Sequence, residues 1–171
     1  MQVRLAASAD ALAIATVHVC SWQGAYETVL SAEYLNSLSV GSREAIWREA
    51  ISRGSPEILI LETAGELVGF IAFGPCRDEE APIDQAEIWA FYLAPSHWSQ
   101  GLGRCLWMRA RERLEQQQYK SVTLWVLSDN ARAIKFYVSA GFRLEPLSSK
   151  GIQIGGKELT EVRYVATLGV E

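Results

Sequence analysis

The sequence has few of the residues from which metal centres and disulfide frameworks are built. It contains two isolated histidines, His18 and His97, and three cysteines that lie far apart with no C-x-x-C spacing. Reduced thiols in a cytoplasmic protein are the simplest interpretation of such cysteines. Two separate histidines do not form a metal-ligand constellation, so we predict no metal site.

The sequence also lacks an excess of basic residues and any long apolar run. Sixteen Lys and Arg residues stand against 20 Asp and Glu, giving a net charge of −4 at pH 7. This balance disfavours a nucleic-acid partner. No apolar run is long enough to span a bilayer, and the first ten residues lack the layout of a signal peptide. We therefore expect no membrane partner and a cytoplasmic location.

The length of 171 residues, of which 49% are apolar, fits one domain over residues 1–171. Gln2 to Ala6 is a predicted edge strand, and mostly helical patterns follow it as far as Pro56. Gly54 is a natural residue to end the last of these helices. Polar residues suited to N-caps precede the predicted helices: Ser8, Ser31 and Ser42.

Strand patterns then alternate with two helical ones. Leu102, Leu106, Ala110 and Leu114 recur every fourth residue along one helical stripe, and Asn130 to Ala140 forms the second helix. The sequence as a whole predicts an α/β fold with a mixed sheet. Its later strands are Glu57–Thr63, Leu67–Phe73, Glu87–Leu93, Val122–Leu127 and the segments after Phe142, with a turn at Gly155-Gly156.

Between the strand at Glu87–Leu93 and the helix at Leu102 lies a polar loop with two glycines. A helix N-terminus after such a loop favours an anion, because its first N–H groups are free and the helix dipole is positive there. A dinucleotide fingerprint would need a third glycine at Leu106, and a Walker loop would need G-K-[ST] where Gly103-Arg104-Cys105 stands. An isolated G-x-G could equally be a tight turn.

Two motifs that follow one another along the chain favour an anion-binding loop over a tight turn. Leu93-Ala94-Pro95 with Trp98 to Gly103 resembles the strand end and Q/R-x-x-G-x-G/A loop of the GNAT superfamily of acyl-CoA-dependent N-acyltransferases. Asn130 to Tyr137, followed by Ala140-Gly141-Phe142, resembles the second motif of that superfamily, N-x-x-A-x-x-F-Y with a terminal G-F. The resemblance runs from Val3 to about Leu168. It implies a central mixed, mostly antiparallel sheet flanked by helices and splayed at the acyl-CoA site.

The resemblance also implies a coenzyme A site. Its pyrophosphate would lie on the backbone of the loop, Asn130 would bind the pantetheine arm, and Tyr92 or Leu93 would donate an N–H to the acyl oxygen. Trp98 departs from the usual Gln or Arg, a loss that Arg104 or a nearby basic residue could offset. Ser99 requires only a negative φ. The expected cofactor-binding residues are Tyr92, Leu93, Trp98, Ser99, Gln100, Gly101, Leu102, Gly103, Arg104, Asn130 and Phe136.

Before an amine can accept an acetyl group, its ammonium form must lose a proton. An alkylammonium loses its proton roughly 3 pH units above neutrality, so a carboxylate base is useful. Glu87, placed by its spacing on one strand face with Trp89 and Phe91, is the predicted base. The alternative interpretation is that Glu87 is an ordinary solvated glutamate. Asp129 and Glu27 are the reserve candidates for the base. Tyr137 is the family's usual general acid for the thiolate, and its alternative is a buried helix aromatic.

The acceptor is expected to be a small-molecule amine held by aromatic rings, with cation–π attraction. Acetylation of a protein N-terminus or lysine, and acyl-CoA binding without catalysis, are the two alternatives. A homodimer is a further expectation from the resemblance. The predicted substrate-binding residues are Trp22, Tyr26, Trp89 and Trp125.

Overall fold

The computed structural model describes residues 1–169, which fold around one twisted sheet. The helices are α1 (Ala11–Ala25), α2 (Ala32–Ser37), α3 (Val40–Arg53), α4 (Leu102–Gln116) and α5 (Ala131–Ser139). The strands are β1 (Gln2–Leu5), β2 (Glu57–Thr63), β3 (Glu66–Pro75), β4 (Gln85–Leu93), β5 (Ser121–Leu127), β6 (Arg143–Leu144), β7 (Lys150–Ile154) and β8 (Lys157–Thr167).

The strand order is β1-β2-β3-β4-β5-β8-β6, with β7 paired to β8. All of these pairs are antiparallel except β4–β5, which is parallel. That parallel pairing covers only Gln85–Glu87 against Ser121–Thr123, after which the two strands separate. The predicted mixed, mostly antiparallel and splayed sheet is confirmed.

Helices cover both faces of the sheet, and each face has its own apolar cluster. The predicted stripe of α4 packs on one face, where Leu106, Ala110 and Leu114 are completely buried. Helices α1 and α3 pack on the other face, where Ile14 and Phe70 are buried. Burial on both faces explains why the central strands read as continuous apolar runs rather than alternating ones.

A β-bulge in β4 overturns the predicted arrangement of three side chains on one face. Ala72 pairs with Ala90 and Phe73 pairs with Ile88, so Trp89 is an extra residue in the ladder. A bulge of this kind reverses the alternation of the residues that follow it. Trp89 therefore packs with the α1–α3 cluster, whereas Phe91 packs with the α4–α5 cluster.

Two of the three predicted N-caps are wrong. The chain enters α1 through a short 3₁₀ turn, in which the Asp10 carboxylate, not Ser8, accepts from the Ala7 N–H at 2.7 Å. Helix α3 is capped by Ser39, whose hydroxyl accepts from the Ser42 N–H at 3.1 Å. A serine three residues earlier gives the same local signal, so spacing alone could not separate the two. Ser31 caps α2 as predicted.

His18, on α1, contacts residues of α3 and β4 in the core. Its Nδ1 accepts from Trp47 Nε1 at 3.1 Å, and its ring stacks on Tyr92 with 4.7 Å between centroids. Burial, with a smaller effect from the charge of Arg43, lowers the pKa of His18 to about 4. The imidazole is therefore neutral and structural at neutral pH.

This burial predicts a loss of stability in mild acid. The unfolded chain takes up a proton on His18 below pH 6.5, whereas the folded chain does so only near pH 4. The contribution is thus full above pH 6.5 and lost as the pH falls to 4, by about 3 kcal/mol. Urea unfolding at several pH values should show a smaller loss in His18→Gln, which keeps an acceptor but does not titrate. Equal losses in both proteins would contradict this assignment.

Candidate active site

The separation of β4 from β5 opens a cavity of about 790 Å³ in the middle of the sheet. Its walls are Ile88–Leu93 of β4 and Leu124–Leu127 of β5, closed by α1 on one face and by α5 on the other. The loop before α4 forms one end of the cavity. Lys135 and Ile154 mark how far it extends toward α5 and toward the β7–β8 hairpin.

The loop contains a row of free hydrogen-bond donors, all but one of which belong to residues that line the cavity. Within the described residues, the five consecutive backbone N–H groups from Ser99 to Gly103 donate to no protein acceptor, and the next, that of Arg104, donates to Gly101 O at 3.1 Å. These N–H groups precede and begin a 15-residue helix. Loop and helix dipole together form an anion site suited to a pyrophosphate.

The backbone of this loop is left-handed at two positions. Gly101 has a φ of 79°, which glycine adopts without cost. Ser99 has a φ of 59°, so the prediction of a negative φ at Ser99 is wrong. The reason is that the loop must turn its successive N–H groups to one side, and this curvature needs residues in the left-handed region.

Gly103 is required for a different reason, the close approach of α4 to its neighbours. A Cβ at this position would lie 3.1 Å from Leu93 Cδ1 and 3.4 Å from Phe136 Cε2. The small residue lets the helix N-terminus reach the end of β4. Leu93 and Phe136 both line the cavity there.

Trp98, the residue that departs from the family pattern, has a structural role of its own. Its Nε1 donates to the Leu93 carbonyl at 2.8 Å, which also accepts from Ser21 Oγ at 2.6 Å. The guanidinium of Arg132 lies over its ring at 4.3 Å. Trp98 therefore fixes the end of β4 and holds the Arg132 cation beside the loop, where the usual Gln or Arg side chain would have been.

Tyr137 lies in the wall of the same cavity. The residue is 8% exposed, and its hydroxyl makes no hydrogen bond with any described residue, although it is not sealed from the cavity. Burial, together with the neighbouring Tyr92 and Tyr26, raises the pKa of the Tyr137 phenol. A neutral phenol with a free O–H can donate to a ligand atom.

Asn130 and the aromatic residues of α1 form the wall beyond Tyr137. Asn130 Oδ1 caps α5 by accepting from Ala133 N at 3.1 Å, and its Nδ2 donates to Tyr26 Oη at 3.0 Å. Trp22 Nε1 donates to Tyr92 Oη at 3.1 Å. These bonds fix the ring positions that the sequence predicts for the acceptor end.

The other two predicted acceptor residues, Trp89 and Trp125, also line the cavity, but each already carries a cation. The Arg77 guanidinium lies 4.4 Å from the Trp89 ring centroid, and Lys150 Nζ lies 3.6 Å from that of Trp125. One face of each ring is therefore occupied by the protein itself.

Glu87 is placed differently from what its predicted role requires. It is 2% exposed, and its carboxylate accepts from Arg77 N at 2.9 Å, Nε at 3.0 Å and Nη2 at 2.5 Å. It does not line the cavity, and neither do Glu27 and Asp129. The structure thus shows Glu87 as an ion-pair partner that orients Arg77, and its role as a base stays a prediction.

Comparison with known proteins identifies the family of the chain. The model of the acetyltransferase (GNAT) family matches residues 21–142, which contain the loop, Asn130 and Tyr137. The chain belongs to the GNAT family. It is 34% identical over 160 residues to the uncharacterized N-acetyltransferase YuaI of Bacillus subtilis, covering 94% of this chain and 89% of that protein.

Two other proteins, one compared by sequence and one by structure, are similar over most of the chain. The L-amino acid N-acyltransferase MnaT of Escherichia coli is 26% identical over 143 residues, which are 83% of this chain and 79% of that protein. The PaiA N-acetyltransferase of Thermoplasma acidophilum, solved in complex with coenzyme A, superposes with a TM-score of 0.77 at 19% identity. It covers 98% of this chain and 99% of that structure. The protein is an acetyl-CoA-dependent N-acetyltransferase.

The GNAT cavity gathers most of the predicted site residues and adds others. Of the predicted set, Gln100 and Glu87 lie outside the lining, and Gln100 Nε2 instead donates to Ser96 O at 2.9 Å. Charged lining residues that the sequence did not single out are Arg132, Lys135 and Glu161. Arg132 and Lys135 lie inside the N-x-x-A-x-x-F-Y motif and could have been noted, whereas Glu161 carries no local signal.

In residues 1–169, no helix is long and apolar enough to cross a membrane. The same residues include no group of three or more His, Cys, Asp or Glu side chains placed to hold a metal ion.

The positive φ of Gly101 predicts that two glycine substitutions of similar cost in stability will differ in their effect on coenzyme A binding. Gly101→Ala should cost about 1 kcal/mol of stability, because alanine disfavours a positive φ, and should also weaken coenzyme A binding roughly tenfold by tilting the free N–H groups. Gly65→Ala, at a φ of 81° in the β2–β3 turn, is the matched control. Calorimetric titration with coenzyme A should show a loss only in Gly101→Ala. A similar affinity in both variants would contradict the loop assignment.

Proposed function

We propose that this N-acetyltransferase acts on a small-molecule amine in the cytoplasm, by direct attack of the amine on the thioester. The observation that carries the proposal is one cavity with the anion loop at one end and aromatic rings at the other. The three cysteines are unpaired, which agrees with a reducing compartment.

The closed acceptor end supports a small acceptor over a protein. The β7–β8 turn packs on α2, where a Cβ on Gly155 would meet the Tyr34 ring at 2.7 Å. Lys157 Nζ donates to the Val29 carbonyl at 2.9 Å. Together with an apolar cluster that contains Tyr26 and Leu159, these contacts close the hairpin over the end of the cavity. An extended peptide would need this hairpin to move.

One relative supports the same acceptor class, although two similar structures are named for acetylation of a ribosomal protein. MnaT is named for acylation of L-amino acids, which are small amines, and its similarity covers most of both chains. We propose an acceptor of comparable size for this chain. We also propose that residues 1–171 act as one domain, because a single sheet joins β1 to β8. A homodimer stays a prediction that light scattering would check.

The residues present fit two parts of the cofactor, the pyrophosphate and the pantetheine arm. The free N–H groups of Ser99 to Gly103, with Arg104 and Arg132, would hold the pyrophosphate. Asn130 and Phe136 would flank the pantetheine arm. Bound acetyl-CoA supplies a thioester carbonyl whose oxygen gains negative charge as the amine attacks.

Leu93 is placed to donate to that oxygen. The Ala94 N–H donates to Val68 O at 2.8 Å, toward β3. Because backbone groups alternate sides along an antiparallel ladder, those of Leu93 point the other way, into the space between β4 and β5. The Leu93 N–H is thus the donor that we propose for the acyl oxygen.

Tyr137 would give a proton to the departing sulfur. Its unpaired hydroxyl and its raised pKa keep a proton available at neutral pH. For Glu87 to act as the base, a proton would have to reach it by water past Trp89, because Arg77 occupies its oxygens.

The proposed acceptor class predicts the outcome of an amine screen. Coenzyme A release should be measured with amino acids, polyamines, aminoglycosides and peptides with a free N-terminus or lysine. We expect turnover with a small amine and little with peptides. Turnover confined to peptides would identify a protein acetyltransferase. Tight coenzyme A binding without turnover of any amine would identify a binding module.

The proposed acid predicts a specific loss in Tyr137→Phe. The variant should lower kcat about 100-fold, while the affinity for coenzyme A changes little, because only the hydroxyl is removed. Tyr164→Phe removes a hydroxyl from a buried β8 tyrosine that does not line the cavity and is the control. Equal kcat values in the two variants would refute the role of Tyr137.

A further inference from the structure

The charges around the cavity are distributed unequally. His97, Arg104, Arg132 and Lys135 lie toward the loop and α5. Among the described residues, Glu161 is the only carboxylate that lines the cavity, and it lies at the other end, on β8. Cations at one end suit phosphates, and a carboxylate at the other suits a cationic group.

The position of Glu161 follows from strand register. It pairs with Leu127 of β5 and with Lys150 of β7. Two residues earlier on the same strand, Leu159 packs against Tyr26. Because alternate residues share a sheet face, Glu161 points toward the α1 side, where Trp22 and Tyr26 line the acceptor chamber.

Glu161 also differs from the other carboxylates of this region in having free oxygens. Asp78 accepts from Trp125 and Arg163, Glu145 accepts from Arg163, and Glu87 accepts from Arg77. Within residues 1–169, Glu161 accepts no hydrogen bond. Its nearest cation is Lys150, with Nζ at 3.8 Å, and that ammonium is engaged with the Trp125 ring.

The charged and titratable groups near Glu161 come from several elements. Lys150 lies on β7, Glu87 lies near the start of β4, and Arg77 lies in the loop before β4. The phenols of Tyr26 and Tyr92 lie on the α1 side. Burial and the Glu87 charge raise the pKa of Glu161, against the opposing effect of Lys150 and Arg77. A carboxylate with a raised pKa is a stronger base.

We propose that Glu161 binds the ammonium of the acceptor and removes its proton. This inference rests on the proposed function. The ammonium gives one proton to a Glu161 oxygen, which later releases it to solvent. The freed lone pair forms the C–N bond, the C–S bond breaks, and the Tyr137 hydroxyl protonates the sulfur. The Tyr137 phenolate then regains a proton from the new amide nitrogen through water, so charges and protons balance.

The test compares Glu161→Gln with Glu87→Gln in the full chain, with Glu158→Gln, an exposed glutamate on the same strand, as the control. The value of kcat/KM is measured from pH 6 to 9.5 with the best amine of the screen. We expect Glu161→Gln to lower kcat/KM about 100-fold and to move the acidic limb of the profile toward the pKa of the amine, because the amine must then bind already deprotonated. Affinity for coenzyme A and the Glu158→Gln control should stay within twofold of wild type.

A second measurement separates acceptor binding from a merely structural role. The amine should raise the Tm of the enzyme–coenzyme A complex in wild type and Glu158→Gln, but not in Glu161→Gln. An unchanged profile and Tm shift in Glu161→Gln would overturn the assignment and leave the proposed function intact. A shift of the acidic limb only in Glu87→Gln would make Glu87 the base. Failure of wild type to acetylate any amine would overturn both proposals.

Discussion

The parallel pairing of β4 with β5 ends after Glu87, and the rest of the site depends on that early end. Beyond it the two strands diverge, which exposes the backbone of β4 and opens the sheet from one face to the other. Strand backbones that lose their partners must find others or face a ligand. The Leu93 carbonyl finds Ser21 and Trp98, and the Leu93 N–H is left to the cavity.

The residues that line the opening differ in charge at its two ends, although Lys150 and Arg77 lie near Glu161 outside the lining. The helix N-terminus of α4 and the cations near it gather at one mouth of the cavity, while the β7–β8 hairpin brings Glu161 to the other. A donor with several negative charges and an acceptor with a positive one would then lie at different ends and meet at Tyr137. Such a division lets a single cavity orient two substrates without a lid.

Much of the fold could be predicted from local patterns. The stripe of α4, the strand at Glu57–Thr63, the turn at Gly155-Gly156 and the role of Gly54 depend on neighbours in sequence, and all were correct. The bulge at Trp89 could not be predicted, because it arises from the register of β3 against β4. The positive φ of Ser99 could not be predicted for a similar reason, because the course of the loop sets it and the residue type does not.

The sequence by itself determined the family, the anion loop and the Tyr137 position, because each is carried by residues close together along the chain. Only the tertiary structure decided which carboxylate lines the cavity. Glu87 and Glu161 lie 74 positions apart and look alike as strand glutamates. The Arg77 side chain binds the carboxylate of Glu87, whereas strand pairing places Glu161 in the cavity lining. Long-range pairing sets that difference, and no local spacing encodes it.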